Sequence, residues 1–184
     1  MFFGPDLLPV FCIVKNRRIE MTYDDVIENR KNWEAALRSG SYRQTTNVLE
    51  RIDGSCCCLG VGCEIMGYPK TVISAEIDRS PSMGEDRELA EVYKFFDDEF
   101  SAPNQLVRDL GLYGDTGETD ASSDRATLVS MNDHGSEFME IADALATGEY
   151  YMSREDWERK YFYVDEAFPV SCGDGVIISL SKSE

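Results

Sequence analysis

A chain of 184 residues with 42% hydrophobic and 11% aromatic content can bury one ordinary core, which excludes a disordered tail. Its 18 Lys/Arg against 35 Asp/Glu give a formal charge of −17, which repels nucleic-acid phosphate and anionic membrane and argues against direct contact with either. The charge is uneven: residues 1–51 carry eight basic and seven acidic side chains and the remaining residues carry 10 and 28, so one end can still hold an anion.

The apolar start, MFFGPDLLPVFCIV, lacks a basic leader region, is interrupted by Pro5 and Pro9, and is too short to span a bilayer. The expected setting is a reducing host-cell cytosol, where six cysteines are thiols rather than a disulfide framework. Val10–Val14 and Arg18–Met21 read as short strands joined at Asn16-Arg17. TYDDVIENRKNWEAALRSG then carries helix signals at both ends, with Thr22 as N-cap, Asp25 three residues on and Gly40 past the last turn. Val26, Trp33, Ala36 and Leu37 share one face of that helix.

A strand over Thr45–Ile52, a tight turn at Asp53-Gly54 and a helix entered near Cys58 follow, with Leu59, Cys63 and Met66 as the helix's inward stripe. Gly60 and Gly62 each cost about 1 kcal/mol of helix propensity relative to Ala, so a close neighbour is expected to compensate. KTVISAEI (70–77) predicts a strand, and residues 86–100 an acidic helix burying Leu89, Val92, Tyr93 and Phe96. Pro103 suits the first turn of a helix closed by Gly111, and residues 113–124 read as a mobile acidic loop lacking a calcium-loop pattern. Within residues 125–148 Ser136 is the expected cap of a helix burying Phe138, Ile141, Ala142 and Leu145. Ser153 and Asp156 open another helix, and residues 175–180 close the chain as an apolar strand. The expected fold is α+β, a small mixed or antiparallel sheet packed against several helices.

Two segments carry a recognisable pattern. The first holds Trp33, Ala36, Leu37, Arg38, Ser39 and Gly40, then Cys57, Cys58, Leu59, Gly60, Val61 and Cys63. The second holds Asn132, Asp133, Gly135, Phe138, Glu140, Ile141, Ala142 and Asp143. Together they resemble a family of small bacteriophage-encoded proteins of uncharacterised function. The resemblance implies phage origin and a compact α+β domain. It sets a single domain over 1–184, with a core over 22–147 and additions over 1–21 and 148–184. Cys56, Gly62, Met131 and His134 depart from the pattern.

The cysteine run SCCCLGVGC admits three chemistries. Zinc needs four ligands, usually as separated pairs, and adjacent thiols with one histidine do not supply them, so no metal and no cofactor is expected. Cys57 or Cys58 at a helix N-terminus is a candidate nucleophile, with His134 as base and Asn132 or Asp133 orienting it. The third reading makes Cys58 and Cys63 small buried hydrophobes, with Gly60 and Gly62 admitting a neighbouring helix and Cys56 at the surface. Packing is favoured. In MNDHGSEF, Asn132, Asp133 and Gly135 read as a turn aiming the next helix, with Glu137 and Glu140 at its positive end.

Arg38, Arg43 and Arg51, with Trp33 and Tyr42 for stacking, form a candidate site for a phosphate-bearing nucleotide; Arg17, Arg18, Arg30 and Lys31 belong to the same basic cluster. The expected function is that of a binding protein rather than an enzyme, a counter-defence or host-takeover inhibitor that occupies a host protein. DNA mimicry is one mode, if Asp86–Glu99 and Ser153–Glu158 form aligned acidic faces. Capture of a nucleotide signal and a cysteine hydrolase are the alternatives.

Overall fold

A computed structural model describes residues 21–78, 87–119 and 126–162. Helix α1 (Tyr23–Arg38) starts at Thr22, whose hydroxyl and backbone N–H exchange hydrogen bonds with Asp25 in a capping box. Gly40, with φ of 68°, follows its last turn. The chain then lays down three two-residue strands: β1 (Arg43–Gln44), β2 (Glu50–Arg51) and β3 (Ser55–Cys56). Helix α2 (Cys58–Ile65) follows, and after it β4 (Lys70–Asp78) and β5 (Arg87–Phe95). Four more helices complete the described chain: α3 (Asn104–Leu110), α4 (Leu128–Asp133), α5 (Phe138–Leu145) and α6 (Arg154–Tyr161). The fold is α+β, and the sheet is mixed, in the order β1-β3-β2-β5-β4 with only β1 and β3 parallel.

The main core lies among α1, α2, α3, α4 and α5 on one side of this sheet, with Trp33, Leu49, Leu59, Phe95, Leu106, Leu128 and Ile141 fully buried. A smaller cluster of Val48, Ala75, Ile77 and Val92 lies under the β4–β5 ribbon, and a third gathers Tyr23, Val26 and Met152 around Trp157. Met152 and Trp157 pack onto α1 and α3: Trp157 Nε1 donates to the Arg108 carbonyl at 2.8 Å, and Tyr23 Oη to that of Met152 at 2.8 Å.

Several expectations are corrected. Residues 86–100 do not form an acidic helix: Arg87–Phe95 is a strand paired with β4 across nine positions. RELAEVYKF alternates as well as it fits a helical stripe, and the partner decides. Val92 is buried as expected, but Leu89 is 74% exposed and Phe96 46%. Of the single strand expected over Thr45–Ile52 only Glu50–Arg51 (β2) is strand, β1 preceding the span; the chain turns at Asn47, whose φ is 65°, where the Thr45 carbonyl and Asn47 N–H bond to Asn132 and Asp133. Pro103 caps α3 from outside its first turn. The cap of α5 is Glu137 rather than Ser136; the Glu140 carboxylate accepts the Glu137 N–H at 2.9 Å, while the Ser136 carbonyl accepts from Gln44. Of the expected acidic loop, residues 113–119 are packed, with Ala102, Leu128 and Val129 N–H groups donating to the carbonyls of Asp115, Gly117 and Thr116. The N-terminal hairpin except Met21, the strand at 175–180, Cys12 and Cys172 lie outside the described residues.

Candidate functional site

The turn at Gly54 (φ of 79°) returns the chain so that β3 pairs with both β1 and β2, and Cys57 then leaves the sheet in extended conformation to cap α2. Two contacts seat this helix. Cys57 N–H donates to the Leu49 carbonyl at 2.9 Å, and Trp33 Nε1 to the Cys58 carbonyl at 2.9 Å. Both glycines are explained by proximity. A Cβ on Gly60 would fall 1.8 Å from the Leu49 carbonyl oxygen, and one on Gly62 would meet Leu106 at 3.2 Å and Trp33 at 3.4 Å.

Cys58 and Cys63 are fully buried, as packing requires. Cys56 is buried too, correcting its expected surface position: its side chain joins the main core with Leu49, Leu59 and Phe95. Burial pushes the Cys56 thiol up to about 12 and raises Cys63 as well. Cys57 alone is lowered. The adjacent Cys58 thiol, itself raised and held protonated, favours the thiolate on Cys57, and the Gly60 N–H donates to the Cys57 sulfur at 3.4 Å. Iodoacetamide under native conditions is therefore expected to modify Cys57 before Cys56, Cys58 and Cys63, read by peptide mass mapping; equal rates would show that these neighbours do not activate it.

The pH dependence follows. A thiol with a raised folded-state pKa binds its proton more tightly folded than unfolded, so its contribution is complete below the unfolded value and lost as pH rises through the folded one. Cys56, Cys58 and Cys63 act in this sense, Cys57 in the opposite one, and Tyr68 and Tyr151, raised by burial, reinforce the loss. The melting temperature is expected to fall continuously from about pH 9 to about pH 12. A flat profile by differential scanning calorimetry would contradict this.

Asn132 and Asp133 do more than turn the chain. Asn132 is buried at the end of α4. Its Oδ1 accepts from Cys58 N–H at 3.2 Å and Gln44 Nε2 at 2.9 Å, and its Nδ2 donates to the Thr45 carbonyl at 2.8 Å. Asp133 Oδ1 accepts from Asn47 N–H at 3.1 Å. The two sequence motifs are thus joined at one amide group. Gly135, with φ of 95°, makes the following turn.

His134 caps α4 on the exposed side, its Nδ1 2.7 Å from the Ser130 carbonyl of its own helix, while Cys58 Sγ donates to the carbonyl of Leu128. The dyad read from the sequence is not assembled by these contacts. It is the inward Asn132, two residues earlier, that reaches the cysteine turn.

The arginine cluster is likewise dispersed. Arg38 pairs with Asp143 at 2.6 Å, Arg43 with Asp53 at 2.6 Å, and Arg51 with Glu88 at 3.4 Å and the Thr45 hydroxyl at 2.8 Å. Tyr42 packs partly against the core, and the Trp33 ring, buried between α1 and α2, has no face open for stacking. Arg30 serves structure: its guanidinium reaches the carbonyls of Leu110 (2.7 Å), Gly111 (3.3 Å) and Met152 (3.2 Å), and lies 4.3 Å from the Tyr151 ring centre. Its spacing with Val26, Trp33 and Leu37 on the buried stripe was the available signal. Arg17 and Arg18 lie outside the described residues, and no group of three or more metal-ligating side chains occurs among the described ones.

Of the two acidic segments, one is strand and the other helix. Residues 87–95 are a strand, and on α6 Glu155 and Asp156 pair with Arg159 at 3.0 Å.

Two features at the sheet had no sequence signal, because residues distant in the chain assemble them. Lys70 Nζ bonds both Glu50, at 2.7 Å, and Glu64, at 2.6 Å, over the ring of Tyr93. Beyond it, a cleft of about 330 Å³ opens where the β4–β5 ribbon meets the cysteine turn. Val48, Ile77, Phe100 and Val129 give it apolar walls, and Cys57 lines it beside the carboxyl-bearing Asp133 and Glu76 and the cationic Arg87. Glu76 and Arg87 lie 3.7 Å apart. No helix among the described residues is long and apolar enough to cross a membrane.

The family model described as a domain of unknown function (DUF8296) matches residues 26–149. No curated protein and no solved structure matches the chain.

Proposed function

We propose that this chain, which belongs to the DUF8296 family, is a phage-encoded cytosolic binding protein that acts by occupying a host protein, as a counter-defence or host-takeover inhibitor. The observation that carries the binding role is the β4–β5 ribbon. β4 closes one side of the sheet order, and Val72 (52% exposed) and Leu89 (74%) lie on one face of the ribbon, in the paired positions Val72–Tyr93 and Glu76–Leu89. Apolar side chains this open, rimmed by Glu76 and Glu91, suit a protein contact. The formal charge of −17 selects for a basic partner and speeds encounter with it. Phage origin is supported by the resemblance carried by the cysteine and Asn-Asp motifs.

The test is retention of host protein from a bacterial lysate by the immobilised chain and by a Val72→Asp/Leu89→Asp variant whose folding is checked by circular dichroism. The parent is expected to hold one or a few basic proteins that elute as salt is raised, and the variant to lose most of that retention. A lysate that yields no retained protein, or equal retention by both, would overturn the proposal.

A further inference from the structure

We infer that the outer edge of β4 is a strand-addition site for an extended, basic segment of the bound protein, with one Lys or Arg side chain of that segment entering the cleft beside Glu76 and Asp133. The inference rests on the protein-binding reading above and names the form of its partner.

The two edges of the sheet differ in kind. At one end, β1 is two residues long, too short to template another strand. At the other, β4 runs for nine residues, each in one-to-one register with β5, so no bulge twists its edge away. No proline interrupts KTVISAEID, and four of its residues, Thr71, Val72, Ile73 and Ile77, are β-branched. Lysine is a usual guard of such edges, but Lys70 stands at the first position with its ammonium held by Glu50 and Glu64. Among the described residues, the only strand paired with β4 is β5. Among the described residues, one edge is therefore defended and the other is left able to receive main-chain hydrogen bonds.

The cleft tells what such a strand carries. Glu76 and Ile77 belong both to β4 and to the cleft lining, so a segment paired along β4 passes its mouth. The walls of Val48, Ile77 and Phe100 match the aliphatic stem of a Lys or Arg side chain, and Asp133 together with Glu76, which also faces Arg87 of the cleft lining at 3.7 Å, matches its charged head. A second copy is a poor occupant, since each chain carries −17. A basic segment is favoured at both levels, by the net charge and by the cleft, where two carboxylates face the single cation of Arg87.

The experiment uses the full-length chain and synthetic nine-residue peptides alternating Val and Thr, with a single Arg moved one position at a time, followed by fluorescence anisotropy. One placement of Arg is expected to bind at least about tenfold more tightly than the same peptide with Glu there. N-methylation of alternate peptide amides on one edge is expected to abolish binding, and Glu76→Lys in the protein to weaken it about tenfold, while Met139→Asp, at an exposed position on α5, leaves it unchanged. Equal binding of Arg and Glu peptides, tight binding of both N-methylated forms, absence of binding at every Arg placement, or self-association of the chain through β4 would each overturn the inference. The two proposals fail separately. Lysate protein that stays bound despite Glu76→Lys and an excess of Arg peptide removes the strand-addition site and leaves the binding role; peptide binding without any retained lysate protein removes the host-protein role alone.

Discussion

Gly60→Ala is expected to lower the free energy of unfolding by about 2–3 kcal/mol, even after the ~1 kcal/mol that alanine adds to helix propensity. The added carbon would stand 1.8 Å from the Leu49 carbonyl oxygen, far inside contact distance. That carbonyl cannot withdraw cheaply, because it accepts Cys57 N–H at 2.9 Å while Leu49 N–H donates to the Glu99 carbonyl at 2.8 Å. Either the helix rises off β2 or both hydrogen bonds stretch. Gly62→Ala is the matched control: its neighbours at 3.2 and 3.3 Å are the terminal methyl groups of Leu106, which can rotate. Strain and propensity then nearly offset, and the expected change stays within about 1 kcal/mol. Urea unfolding of the two variants reads the difference. A Gly60→Ala protein as stable as the parent would refute the close seating of α2 on Leu49.

Arg30→Met is expected to cost about 4 kcal/mol, again by urea unfolding. Methionine keeps much of the aliphatic stem but removes the donors that Leu110, Gly111 and Met152 carbonyls and the Tyr23 hydroxyl share in a buried setting. The carbonyls come from the end of α3 and the segment before α6, so one side chain ties two distant parts of the chain to α1. Arg38→Ala provides the contrast: its pair with Asp143 is exposed, and its loss is expected to stay below about 1 kcal/mol. Similar costs for the two arginines would mean that Arg30 is not the tie described.

How much of this was legible in the residues depends on the range of the force involved. Thr22 with Asp25, Ser153 with Asp156, and the glycines after α1 and α3 mark helix ends because each acts within one turn. The buried stripe of Val26, Trp33 and Leu37 shows in the spacing of α1 itself. The dry placement of Cys58 and Cys63 beside Gly60 was readable for the same reason, since small residues on one helix announce a near neighbour without naming it. The candidate site was less legible. Cys57, Asp133 and Glu76 come from three separate elements, and no local pattern sets them around one cleft.

The sequence by itself therefore determined an α+β chain of strong acidity, both ends of α1, the end of α3 and the start of α6, and a cysteine turn built for close packing. Only the tertiary structure decided that Arg87–Phe95 is a strand, since its nine cross-strand pairs with β4 outweigh a helical stripe that fits the same residues. It also decided that Arg30 meets carbonyls 80 to 122 positions away, and that Asn132 rather than His134 meets the cysteine turn. The physical reason is common to all three: caps and periodicity act over a few residues, whereas strand pairing and buried hydrogen bonds depend on which distant backbone groups lack another partner.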